Sequence, residues 1–177
     1  MKRLFSKVGL IGIVVAAVTI SFCFTALAAE KKKFVYSAKG GKFLSEINLH
    51  DPTDQKYKIT QWSRLYVYTE HNDPSLIGAE MTSYGQGDYI DMGGASRGIS
   101  RGYSITRSKD GDCTYAKWEA TWAVTVADFV NWEVGGESKF QIIGGTGKYL
   151  DAKGNGTCQF KTTPTSETMK CEGEWEY

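Results

Sequence analysis

The stretch that most narrows the fold is residues 114–126. Thr114, Ala116, Trp118, Ala120, Trp122 and Val124 fall on one side of an extended chain, and Tyr115, Lys117, Glu119 and Thr121 on the other. Side chains alternate across a strand with a period of two. The pattern therefore predicts a long strand with one apolar and one polar face. No segment keeps a helical period through three turns.

Alternation recurs along the chain. Phe43, Ile47 and Leu49 oppose Leu44, Glu46, Asn48 and His50. Residues 57–70 set Ile59, Leu65 and Val67 against Trp62, Arg64, Tyr66 and Tyr68; both faces are bulky there, and the inward side stays open. Residues 139–143, 157–161 and 168–176 complete the strands. Asp51-Pro52-Thr53-Asp54, His71-Asn72-Asp73-Pro74, Lys109-Asp110-Gly111-Asp112 and Gly135-Gly136 read as turns. Residues 83–104, with Gly85, Gly87, Gly93, Gly94, Gly98 and Gly102, fit either a flexible lid or short, strongly bent strands. Short strands spaced by turns, with no linker and no long repeat, predict a single barrel or sandwich domain.

The last hairpin is testable by arithmetic. With a turn centred on Pro164-Thr165, Phe160 faces Met169, Cys158 faces Cys171 and Gly156 faces Gly173. Gln159 and Lys161 then share the wet face with Lys170, Glu172 and Glu174. One register matches apolar with apolar and polar with polar, as burial demands. It makes Cys158 and Cys171 cross-strand neighbours and favours a disulfide between them, with Cys113 free. A bridge from Cys113 to either of them is the rival, because spacing alone does not fix connectivity.

The first 29 residues read as a secretory signal. Lys2, Arg3 and Lys7 precede the apolar residues 8–24, and Ala26-Leu27-Ala28 offers a cleavage site after Ala28 or Ala29. An uncleaved anchor is the alternative, although the stretch is short for a span. Phe22 before Cys23 is too bulky for lipoprotein processing. The expected mature domain is residues 30–177, secreted or periplasmic in a bacterium, with no membrane span after cleavage. Removing three cations and no acid takes the formal charge from +1 to −2, which gives no support for neutralising many phosphates, so no nucleic-acid partner is expected. At 41% hydrophobic and 23% charged, the chain has the composition of a folded protein.

Motifs for chemistry are sparse. Gly144-Gly145-Thr146-Gly147-Lys148 lacks the hydroxyl residue after Lys and the following helix of a phosphate loop, and reads as a tight turn needing positive φ. Asp110-Gly111-Asp112 lacks the remaining ligands of a calcium loop. His50 and His71 sit beside turns without metal-ligand spacing, so neither metal nor cofactor is expected. Glu119, Glu70 and Tyr115 are candidates for acid–base work only if their strand faces line a cavity.

The C-terminal half resembles the bacterial secreted relatives of the allene oxide cyclase and dirigent proteins. The resemblance rests on Gly98-Ile99-Ser100-Arg101-Gly102-Tyr103, on Asp110-Gly111-Asp112 leading into the Trp118 strand, on Phe140-Gln141-Ile142-Ile143 followed by Gly144-Gly145-Thr146-Gly147-Lys148-Tyr149, and on Gly154-Asn155-Gly156-Thr157. It implies an eight-stranded antiparallel barrel with a hydrophobic lumen. The leading expectation is an apolar small molecule bound by Trp118, Trp122, Phe140, Phe160 and Trp175. The alternatives are a cyclase- or dirigent-type enzyme shaping a reactive substrate in the same lumen, and a structural envelope barrel filled by its own side chains.

Overall fold

A computed structural model describes residues 31–50, 56–91, 95–126 and 132–177. The proposed signal segment, the turn at 51–54 and Gly93-Gly94 lie outside the described residues. The strands are β1 (Lys32–His50), β2 (Tyr57–His71), β3 (Glu80–Asp91), β4 (Ala95–Arg107), β5 (Cys113–Val126), β6 (Trp132–Gly145), β7 (Lys153–Thr162) and β8 (Glu167–Glu176). Each pairs antiparallel with the next, and β8 pairs with β1 from Lys32↔Trp175 to Gly40↔Glu167, closing an eight-stranded barrel. Closure satisfies both edges of the sheet over that stretch.

The final hairpin has the register expected from burial: Phe160↔Met169, Cys158↔Cys171 and Gly156↔Gly173. Cys158 and Cys171 are disulfide-bonded, and Cys113 is a buried free thiol.

Glycines of β3 and β4 form wall rather than lid. One cross-strand row runs Trp62↔Gly85↔Gly102↔Trp118↔Phe140↔Gly156↔Gly173↔Phe34. Aromatic rings lie over the glycines beside them. A Cβ at Gly85 would stand 2.6 Å from Trp62, one at Gly156 2.5 Å from Phe140, and one at Gly173 2.7 Å from Phe34. Gly135-Gly136, read as a turn, instead lies within β6; Gly136 pairs with Phe160, and its Cβ would stand 2.5 Å from that ring. Ring cover restores packing that glycine by itself withholds from a strand.

The barrel has a packed base. Phe34, Tyr36, Tyr68, Ile142 and Trp175 are buried there, and two 3-10 turns add Leu76 and Tyr149. Tyr149 is 1% exposed and stacks on Trp175 with centroids 5.6 Å apart. Lys109-Asp110-Gly111-Asp112 is a turn, and it docks on the turn at residues 146–148 at this end, while Gly144 and Gly145, expected in that turn, are the last residues of β6. Lys148 Nζ is 2.6 Å from Asp110, and the Cys113 N–H donates to Thr146 Oγ1 at 2.9 Å. Gly144 (φ 140°) and Gly147 (φ 54°) adopt the positive φ expected of them.

His71 belongs to a strand end rather than a turn. Thr69 is an extra residue in β2, since Ser37 pairs with Glu70 and Ala38 with Tyr68. Such a bulge reverses the facing of the residues beyond it. His71 therefore pairs with Tyr36 and turns inward.

Candidate functional site: the barrel lumen

Above the base the barrel encloses a cavity of about 630 Å³. Strand β4 explains the space. Its inward residues are Ser96, Gly98, Ser100, Gly102, Ser104 and Thr106, all small, while Arg97, Ile99, Arg101, Tyr103 and Ile105 point out and are exposed. Facing this wall, β2 resolves its ambiguity by turning Trp62, Arg64, Tyr66 and Tyr68 inward, with Val67 outward and exposed.

Trp118, Trp122, Phe140, Phe160 and Trp175, the residues expected on the lumen face, all line the cavity. Trp62 and Trp132 join them, so all five tryptophans of the chain border one space. Trp62 stacks on Trp118 at 5.4 Å, and Trp122 donates its indole N–H to Ser100 Oγ at 2.9 Å. The Trp118 indole N–H is buried without an acceptor among the described residues.

Glu119, Tyr115 and Glu70 do not share this space. They lie outside the cavity: alternation that turns Trp118 inward turns Tyr115 and Glu119 outward, and the extra residue Thr69 turns Glu70 outward. Glu119 is exposed, opposite Arg101 and Lys139 in the flanking strands. Glu70 is exposed and accepts a hydrogen bond from Ser37 Oγ at 2.8 Å.

The charged feature of the lumen is a different set. Arg64 and Glu167 form an ion pair, with side chains only 12% and 8% exposed. Tyr66 donates its hydroxyl to Glu167 Oε1 at 2.7 Å. Gly40 is what brings them together. It is paired with Tyr66 on one side and Glu167 on the other, and a Cβ there would stand 2.9 Å from the Glu167 side chain. Burial pushes the Tyr66 hydroxyl up to about 12, with Arg64 opposing that rise, and draws the Arg64 guanidinium down from its ordinary value. Toward the rim, Glu46 and Lys58 add one charge of each sign to the wall.

Toward the base, burial also raises the Tyr36 and Tyr68 hydroxyls. The two rings stack at 4.4 Å, and His71 lies parallel to both. Burial lowers the His71 pKa; its Nδ1 accepts from the Asp73 backbone N–H at 2.8 Å. Among the described residues no three His, Cys, Asp or Glu side chains come together as metal ligands.

Arg64 and Glu167 escaped the sequence reading for separate reasons. Arg64 sat on a strand whose inward face was open. Glu167 follows a turn and looks like an ordinary surface acid; only its register against Gly40 places it inside.

No family model matches the chain, and no curated protein does. Among solved structures, the chain is similar to a conserved protein of unknown function from Rhodopseudomonas palustris, at 10% identity and a TM-score of 0.40, covering 83% of this chain and 98% of that one.

Proposed function

We propose that this is an exported barrel that holds an apolar small molecule in its lumen. The observation that carries the reading is the convergence of all five tryptophans on one cavity. Large rings on β2, β5 and β6 face a wall of serine and glycine on β4, which leaves a concave, mostly apolar space with a few polar groups. The disulfide accords with an oxidising compartment. The outer faces of β5 and β6 carry Lys117, Glu119, Glu137 and Lys139, which does not suit contact with lipid. The resemblance to the allene oxide cyclase and dirigent proteins supports the same reading. Its glycines are here ring sockets and turn positions, so they speak for the shape of the barrel rather than for a reaction.

The test is intrinsic tryptophan fluorescence of residues 30–177 titrated with uncharged phenolics and with fatty acids. A saturable change is expected with at least one of the two classes, because a ligand would contact indoles directly. Glu119→Gln is expected to leave the titration unchanged. A flat response to both ligand classes overturns the proposal.

A further inference from the structure

Resting on that reading of the lumen, we propose that the ligand is electrically neutral and carries a hydroxyl-type hydrogen-bond donor, and that the Arg64–Glu167 pair selects against both anionic and cationic amphiphiles. Arg64 and Glu167 face the cavity, are almost wholly removed from water, and neutralise each other. Glu46 and Lys58 on the same wall also balance. An entering carboxylate or ammonium would therefore set an unbalanced charge against an ion pair already nearly closed off from water, which is disfavoured. An apolar ligand bearing a neutral polar group incurs no such penalty.

The kind of polar group is set by valence. An ionised carboxylate only accepts hydrogen bonds, and it offers about four lone-pair sites. Glu167 Oε1 takes the Tyr66 hydroxyl and Oε2 takes the Arg64 guanidinium. Lone pairs remain on both oxygens, and a hydroxyl on the ligand can donate to one of them as a charge-assisted bond. The arrangement is built for this, because Gly40 provides the room in which Glu167 and Tyr66 meet across a strand.

The experiment is calorimetric titration at neutral pH with four probes on one skeleton: naphthalene, 2-naphthol, 2-naphthoate and 2-naphthylmethylammonium. The wild type is expected to bind 2-naphthol at least about tenfold more tightly than either ion, and more tightly than naphthalene. Glu167→Gln keeps the side-chain volume and takes one negative charge from the wall, so the cavity gains net positive charge. It is expected to move the naphthoate-to-naphthol affinity ratio at least about tenfold toward naphthoate. Should that variant not fold, Arg64→Met combined with Glu167→Met removes both charges, and 2-naphthol should then bind no better than naphthalene. A wild type that binds naphthalene but prefers an ion, or substitutions that leave the ranking unmoved, overturns the charge selection while lumen binding stands. Failure of all four probes to bind overturns the lumen reading itself.

Discussion

Gly98→Ala is the sharpest perturbation of the ring-socket architecture. Gly98 on β4 faces Trp122 on β5, and an added Cβ would lie 2.2, 2.4 and 2.7 Å from three atoms of the indole. No Cβ tolerates such contacts, so the ring must leave the wall. Overpacking of this kind costs about 1–3 kcal/mol. Moving the indole also breaks its 2.9 Å hydrogen bond to Ser100, about 1 kcal/mol. Alanine offsets some of this, since glycine within a strand is about 0.5–1 kcal/mol worse. The net loss is about 2 kcal/mol, which for a domain of this size lowers Tm by about 4–8 °C. Scanning calorimetry of wild type, Gly98→Ala, Trp122→Ala and the double variant closes a cycle. Once the indole is gone, Gly98→Ala should be neutral or slightly stabilising, giving a coupling of about 2 kcal/mol. Equal effects of Gly98→Ala with and without Trp122 would refute the socket.

Asp110 is held down to about 2, chiefly by its hydrogen bond from the Lys148 ammonium and then by the Ser108 hydroxyl. Its folded value lies below its unfolded one, so its contribution to stability is complete above about pH 4 and is lost as pH falls toward about 2. Acid unfolding monitored by tryptophan fluorescence should show that component in the wild type and not in Asp110→Asn. Glu167→Leu alone takes the ion-pair partner from a nearly buried guanidinium and should cost about 3–5 kcal/mol in urea unfolding, whereas adding Arg64→Met should restore most of it. The Cys158–Cys171 bond closes a loop with a separation of 13 residues. Replacing both with Ala should cost about 3 kcal/mol on the chain-entropy view, while Cys113→Ser should leave the cross-link intact by peptide mass mapping.

Much of the barrel was legible where each strand face is uniform. Residues 114–126 put Trp118 and Trp122 on one side, and the structure turns that side inward. The last hairpin was legible because a single register satisfied both faces at once. Three features were hidden from local pattern. The extra residue Thr69 turns His71 inward although it looks like part of a turn. Gly135-Gly136 looks like a turn because glycine usually breaks strands; the ring of Phe160 on β7, far along the chain, makes it strand. The first half of β1 went unread behind the apolar N-terminal stretch, although Phe34, Tyr36 and Ala38 alternate with Val35 and Ser37 and are buried.

The barrel was easier to read than the site inside it because alternation reports which residues share a face but not which face is inward. Small residues can mark the inside as well as large ones. On β4 the inward side is serine, glycine and threonine, and the outward side holds Ile99, Tyr103 and Ile105. Read alone, that strand points the wrong way. It is corrected by its neighbours, because Trp118 and Trp122 need the space that Gly98 and Gly102 leave open. A cavity is thus a property of paired strands: bulk on one is matched by absence on the next. Gly40 applies that rule to charge. By having no side chain it allows a tyrosine from one neighbouring strand and a glutamate from the other to meet, so the residue that organises the polar centre is the one that contributes no polar group to it.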